Sequence, residues 1–178
     1  ISVRKNGELE GNAKALYPYV KGDKVIFAKQ LPHNPLQILK AVKLICTSKV
    51  IVTDDYVKYL RYFPLRPEQR VIQLWHACGA FKKFGRSTAE LKFGSSAATL
   101  DKYPNYGNLT HVTVSSPEVI WAYEEAMHLP KGIVKATGVS RTDQFYDKEF
   151  VESRKQKLYE IMPEAKDKKV ILYAPTFR

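Results

Sequence analysis

Cysteine is scarce in this sequence: Cys46 and Cys78 are the two thiols in 178 residues. Each lies in an apolar stretch. That pattern argues against a disulfide-stapled secreted scaffold and reads as free thiols in a reducing compartment. No Cys/His pair stands at finger spacing, which argues against a structural zinc site. Long apolar runs are missing as well. The longest, around Leu44 to Val52, is broken by Thr47, Ser48 and Lys49, and falls short of the ~20 residues that cross a bilayer. The opening Ile1-Ser2-Val3-Arg4-Lys5 is polar and does not read as a signal peptide. It has no initiator Met, the expectation for an internal piece of a longer protein. There is no internal repeat and no low-complexity tract. The 44% hydrophobic content is that of a folded chain.

Acidic residues are also in short supply. Eighteen stand against 29 Lys and Arg, a net charge of +11. A small domain ordinarily carries a net charge of about 2–8 in magnitude. The excess points to a polyanionic partner: nucleic acid, an anionic membrane face, or a phosphate-rich substrate. The plainer alternative is a solvated basic surface. Nucleic acid is disfavoured, because the chain has no RNP-like aromatic motif, no helix-turn-helix pattern and no run of five or more basic residues.

What is present alternates between strand and helix patterns. Apolar, β-branched runs predict strands over Lys24–Ala28, Val50–Thr53, Val71–Trp75, His111–Val114, Ile133–Thr137 and Val170–Pro175. Asn34 and Pro35 read as a helix cap and first helical residue. Leu36, Leu39, Val42 and Ile45 then form a stripe. A short Tyr-rich helix is predicted over Tyr56–Tyr62. Ser115-Ser116-Pro117-Glu118 carries a hydroxyl cap, a proline and an acid for a helix whose apolar face is Val119, Ile120, Tyr123, Ala126 and Met127. Residues 86–108 read as loops around short helices. A basic helix over Phe150–Met162 turns Val151, Leu158 and Ile161 inward. Strands alternating with helices predict an α/β fold with a Rossmann-like parallel sheet and flanking helices. Residues 1–163 form its domain. Residues 164–178 form a linker and the opening strand of a second domain.

The most informative stretch is Val71-Ile72-Gln73-Leu74-Trp75-His76-Ala77-Cys78-Gly79-Ala80-Phe81-Lys82-Lys83-Phe84-Gly85. An apolar run delivers His76 to the carboxyl edge of a sheet, where ligands of open α/β sheets bind. Histidine titrates near neutrality and can take a proton from an attacking hydroxyl. The plainer reading is a histidine whose ring is satisfied by its neighbours. Gly79 to Gly85 is expected to open a helix whose N-terminus, with Lys82 and Lys83, would meet a phosphate; a solvated basic turn is the alternative. Phe81, Phe84, Leu91 and Phe93, interleaved with Lys82, Lys83, Arg86 and Lys92, form either an amphipathic face for an anionic membrane or plain core. Arg141 is placed to hold a phosphate, and Asp143 to cap the next helix. Ser115 and Ser116 read as caps and Cys78 as packing. His33, His111 and His128 have no partners in pattern.

Residues 75–85 are similar to the W-H-[AG]-x-G-x-x-K-x-x-G motif of the CDP-glycerol glycerophosphotransferases, the teichoic-acid primases and polymerases of Gram-positive bacteria. Gly11-Asn12-Ala13-Lys14-Ala15-Leu16-Tyr17 resembles the family's G-N-x-K-x-L-Y. Gly138-Val139-Ser140-Arg141-Thr142-Asp143 resembles its G-x-P-R-x-D, with Ser140 where proline is usual. Ile171 to Arg178 resembles its I-L-Y-A-P-T-[FW]-R. The resemblance implies the N-terminal lobe of a GT-B-type two-domain fold. It implies transfer of glycerol phosphate from CDP-glycerol to a lipid-diphosphate-linked acceptor at the cytoplasmic face of the membrane. It makes His76 the catalytic base, puts Arg178 at the seam between lobes facing the nucleotide, and calls for no metal or cofactor. Most CDP-glycerol contacts and a second histidine belong to the other lobe, so this piece alone is expected to be nearly inactive. A non-catalytic basic module, or a sugar-nucleotide glycosyltransferase of the same fold, are the competing readings.

Overall fold

The computed structural model describes residues 8–27, 34–92 and 94–175. Its elements are α1 (Gly11–Leu16), α2 (Pro35–Thr47), β1 (Val50–Thr53), β2 (Arg70–Gln73), α3 (Ala97–Lys102), β3 (His111–Val114), α4 (Ile120–Met127), β4 (Val134–Ala136) and α5 (Lys148–Ile161). Short 3-10 helices lie between them, including Lys58–Tyr62, Gly85–Thr88 and Ser140–Phe145. The four strands form one parallel sheet in the order β1-β2-β3-β4. The fold is therefore α/β with a Rossmann-like parallel sheet, as the alternating pattern predicts. The chain divides into two compact units, Ile1–Arg141 and Thr142–Arg178. The sheet belongs wholly to the first.

Burial explains why these strands form. β1, β2 and β3 share one pattern, in which the second and fourth residues are buried. Val71, Val112, Val114 and Val134 are almost fully covered, with Tyr123 of α4 packed among them. Each such side chain contributes about 1.5–3 kcal/mol when withdrawn from water. Gln69, itself buried, donates to the carbonyls of Ile45 (2.6 Å) and Ser48 (3.0 Å). It thereby satisfies acceptors that the end of α2 leaves open. Asn34 caps α2 as the sequence predicts, accepting from the Leu36 N–H at 2.9 Å.

Several expectations are corrected. The strand over Lys24–Ala28 does not form across its described part, where Val25 and Ile26 are exposed. Val170–Pro175 is irregular too, with Ile171 93% exposed. An apolar run becomes a strand only where a neighbour completes its ladder, and among the described residues neither segment has one. The stripe on α2 is narrower than predicted: Ala41 and Ile45 are buried, whereas Leu36 and Leu39 face solvent, because the helix docks through its C-terminal half. The Tyr-rich helix is a 3-10 helix starting at Lys58. β2 ends at Gln73, two residues before the predicted limit. Ser116 does not cap α4. Its hydroxyl bonds the Glu118 carboxylate instead and holds that acid below the usual range. Asp147, not Asp143, caps α5, accepting from the Phe150 N–H at 3.0 Å. No residue of α5 is buried, so Val151, Leu158 and Ile161 are not inward. A unit this short cannot bury a core of its own. Cys46 and Cys78 are both exposed, so neither serves as packing.

Burial also tunes the tyrosines. It pushes Tyr59 and Tyr123 up to about 12, and Tyr106 further still. A folded-state value above the ordinary 10 leaves stability intact below pH 10. Above it the unfolded chain ionises first, so stability drains away as pH rises toward 12. Denaturant midpoints measured at a series of alkaline pH values should fall across that window, in step with tyrosinate absorbance. A midpoint indifferent to pH there would contradict the burial of these rings.

Candidate active site

The parallel register fixes which residues can meet. Thr53 of β1 lies opposite Gln73 of β2, so both strands exit on the same edge. Two residues past Thr53 stands Asp55, and three past Gln73 stands His76. The His76 Nδ1 lies 3.8 Å from the Asp55 Oδ1. Asp55 is itself fixed, because the same Oδ1 accepts from the Tyr56 N–H at 2.7 Å. The His76 side chain is 35% exposed, yet its Nδ1 is covered.

The turn that carries His76 is held from several sides. Trp75 has φ 54°, a left-handed backbone that costs a bulky residue about 1–3 kcal/mol. Its N–H donates to the Gln73 Oε1 at 2.9 Å. The Gln73 Nε2 donates in turn to the Asp55 carbonyl, also at 2.9 Å. This buried amide thus ties the exit of β1 to the exit of β2. The Trp75 ring stacks with His76 (4.5 Å) and with Phe84 (4.8 Å) and meets Tyr106 and Tyr123 edge-on.

Asn12 of α1 completes the frame. It is 3% exposed. Its Nδ2 donates to the carbonyls of Leu74 (3.2 Å) and Trp75 (2.9 Å). Its Oδ1 accepts from the Arg141 N–H at 3.3 Å, and its carbonyl accepts from the Ser140 hydroxyl at 2.9 Å. Three motif segments far apart in sequence therefore converge on one side chain. Ser140 donates through its hydroxyl, a bond that proline at this position could not make. The Arg141 guanidinium reaches the Cys78 Sγ at 3.6 Å, beside the histidine turn.

The remaining predicted site residues divide. No helix opens at Gly79. The chain stays irregular to Phe84 and then enters the 3-10 helix Gly85–Thr88. The Gly79 carbonyl accepts from the Tyr123 hydroxyl at 3.3 Å, a contact that occupies this stretch with tertiary packing instead of a helical turn. Lys82 and Lys83 are exposed on that loop, beside Phe81 at 98% exposure. Phe84 is core against Trp75, which gives the plainer reading for that residue. Gly85 has φ +55°, and a Cβ there would lie 2.2 Å from the Ala126 carbonyl oxygen, so only glycine lets this loop dock on α4. His128 ends α4 in a left-handed cap. Arg178, Phe93 and His33 lie outside the described residues. Among the described residues no cluster of three or more His, Cys, Asp or Glu is placed to hold a metal, and no helix is long and apolar enough to cross a membrane.

Asp55, Gln73 and Asn12 are the residues that sequence reasoning missed. Asp55 lies just past the predicted strand Val50–Thr53, outside every motif. Asn12 sat inside a recognised motif without a role. The signal for Asp55 is an acid just beyond one parallel strand when a histidine follows the end of the next.

The histidine and the carboxylate stand together, with an arginine beside the histidine turn, at the carboxyl edge of a parallel sheet, where open α/β folds bind ligands. Residues 3–178 match the profile of the CDP-glycerol:poly(glycerophosphate) glycerophosphotransferase family, and the chain belongs to that family. It is 41% identical over 189 residues to a teichoic acid ribitol-phosphate primase of Bacillus spizizenii, covering 100% of this chain and 49% of the relative. It is 32% identical over 146 residues to a teichoic acid glycerol-phosphate primase of Bacillus subtilis, covering 82% of this chain and 36% of that protein. The wall teichoic acid polymerase TagF shares its fold with a TM-score of 0.69 at 15% identity, over 99% of this chain and 46% of TagF. The chain thus spans 49% and 36% of the length of these two relatives.

Proposed function

We propose that this chain is the N-terminal, acceptor-side lobe of a transferase that moves a polyol phosphate from a CDP-polyol to a lipid-diphosphate-linked acceptor. The observation that carries the reading is the His76 turn, held at the carboxyl edge with Asp55 behind it and Arg141 beside it, in a chain of this family. His76 Nε2 takes the proton of the acceptor hydroxyl as its oxygen attacks the polyol-bearing phosphorus. The new O–P bond forms as the bond to the CMP oxygen breaks, and CMP leaves. Arg141, Lys82 and Lys83 supply positive charge for the diphosphates, and the Gly79 loop approaches them; the family resemblance assigns Arg178 a role toward the nucleotide. Residues 1–163 form this lobe, and 164–178 lead into the other, which holds most of the CDP-polyol. The relatives of higher identity act on ribitol phosphate, which favours that cargo over glycerol phosphate.

The basic excess fits work on an anionic membrane at the cytoplasmic face, with Phe81 presented between water and lipid and Lys82 and Lys83 flanking it. The test uses the full-length protein with CDP-ribitol or CDP-glycerol and a lipid-diphosphate acceptor in vesicles. CMP release should require the acceptor, favour CDP-ribitol, rise with phosphatidylglycerol and fall with salt. Turnover of a UDP-sugar instead of either CDP-polyol would overturn the reading of the reaction. Indifference to lipid charge and salt would overturn the membrane part alone.

A further inference from the structure

We propose that Asp55 is the positioning residue of His76: it fixes the imidazole with the Nδ1 proton turned inward and the Nε2 lone pair turned toward the acceptor, and it stabilises the imidazolium that forms when the ring takes a proton. The inference rests on the reading of His76 as the base. It deepens that reading by naming the second group on which the base depends.

The geometry is specific. The two side chains come from neighbouring parallel strands, at positions set by the Thr53–Gln73 pairing. Nδ1 faces Oδ1 at 3.8 Å, longer than a hydrogen bond but within ion-pair range. Catalytic hydrogen bonds are often long without substrate and tighten in the reacting complex. Asp55 is not free to wander, because the Tyr56 N–H holds its carboxylate and the Gln73 amide holds its carbonyl. The stack of His76 on Trp75 at 4.5 Å limits the ring's rotation. Nδ1 is covered, so proton exchange with the substrate is assigned to Nε2. A carboxylate against Nδ1 selects the productive tautomer and offsets the positive charge that develops on the ring.

The experiment uses the full-length protein with Asp55→Asn, His76→Ala and the double variant. Asparagine keeps an oxygen for the Tyr56 N–H, so the strand exit survives, and a thermal melt verifies it. Asp55→Asn should lower kcat for CDP-polyol turnover about 10- to 100-fold, with KM for the donor changed by less than about twofold. In the His76→Ala background the same change should cost almost nothing more, since the two act as one unit. Independently of activity, nitrogen NMR of the labelled histidine ring should show the Nδ1–H tautomer in the parent protein and a loss of that preference in Asp55→Asn. Parent-like turnover in Asp55→Asn, an equal loss in both backgrounds, or an Nε2–H ring in the parent protein would each overturn the proposal. Parent-like turnover in His76→Ala would overturn the base reading instead, and the ring nitrogen shifts would then decide the pairing by themselves.

Discussion

Replacing His76 with alanine in the full-length protein is expected to cut polyol-phosphate transfer by about 10²–10⁴-fold, the usual contribution of a general base in hydrogen-bond reach. The fold should survive. His76 is partly exposed, its chief packing partner is the Trp75 ring, and the loss of one stacked pair costs about 1 kcal/mol. Trp75 keeps its other contacts: Phe84 stacked on its ring, Tyr106 and Tyr123 at its edges, and two backbone hydrogen bonds. Donor binding should change little, because removal of a group that acts mainly in the transition state lowers kcat and leaves KM nearly alone. The measurement is a rate of CMP release alongside a melting curve. A folded variant with ordinary turnover would remove His76 from the chemistry.

Asn12→Ala should act through stability. The change strands the buried carbonyls of Leu74 and Trp75 and leaves the Arg141 N–H without its acceptor. Orphaned buried groups cost about 1–3 kcal/mol each before relaxation, and a total near 3 kcal/mol is expected once the turn adjusts. Asn12→Asp should do no better: it restores an acceptor for Arg141 but turns oxygen lone pairs toward two carbonyls. Urea unfolding of the parent and both variants checks this. A loss below about 0.5 kcal/mol, the size of an ordinary surface substitution, would show that Asn12 does not hold the segments together. Transfer should also fall in the folded fraction, because the strained backbone of Trp75 relaxes once its carbonyl is released.

Much of the sheet was legible. Val50–Thr53 and His111–Val114 announced themselves by β-branched runs, and Val134–Ala136 lay within its predicted limits. The Asn34-Pro35 start of α2 was readable because a cap is a local event. Local chemistry failed wherever a distant partner decided the outcome. Lys24–Phe27 and Val170–Pro175 have strand-like composition but find no ladder among the described residues. Glycine and two lysines after His76 looked like a phosphate-binding helix start, yet packing of Gly85 on Ala126 and of Phe84 on Trp75 takes that stretch instead. His76 itself could be placed from its strand. Its carboxylate partner could not, because the Asp55 contact depends on which residues of β1 and β2 face each other, and strand register is a property of the pair. Asn12 shows the same limit, since its four bonds reach residues more than sixty positions away.

Gln73 has a mechanical consequence. One amide, wholly enclosed, grips the main chain on both sides of the gap between histidine and carboxylate. The two groups are mounted on a common bracket, so the spacing between them is insulated from motion in the loops that surround them. Movement of the exposed stretch around Phe81 to Lys83 is therefore expected to leave the distance between His76 and Asp55 unchanged.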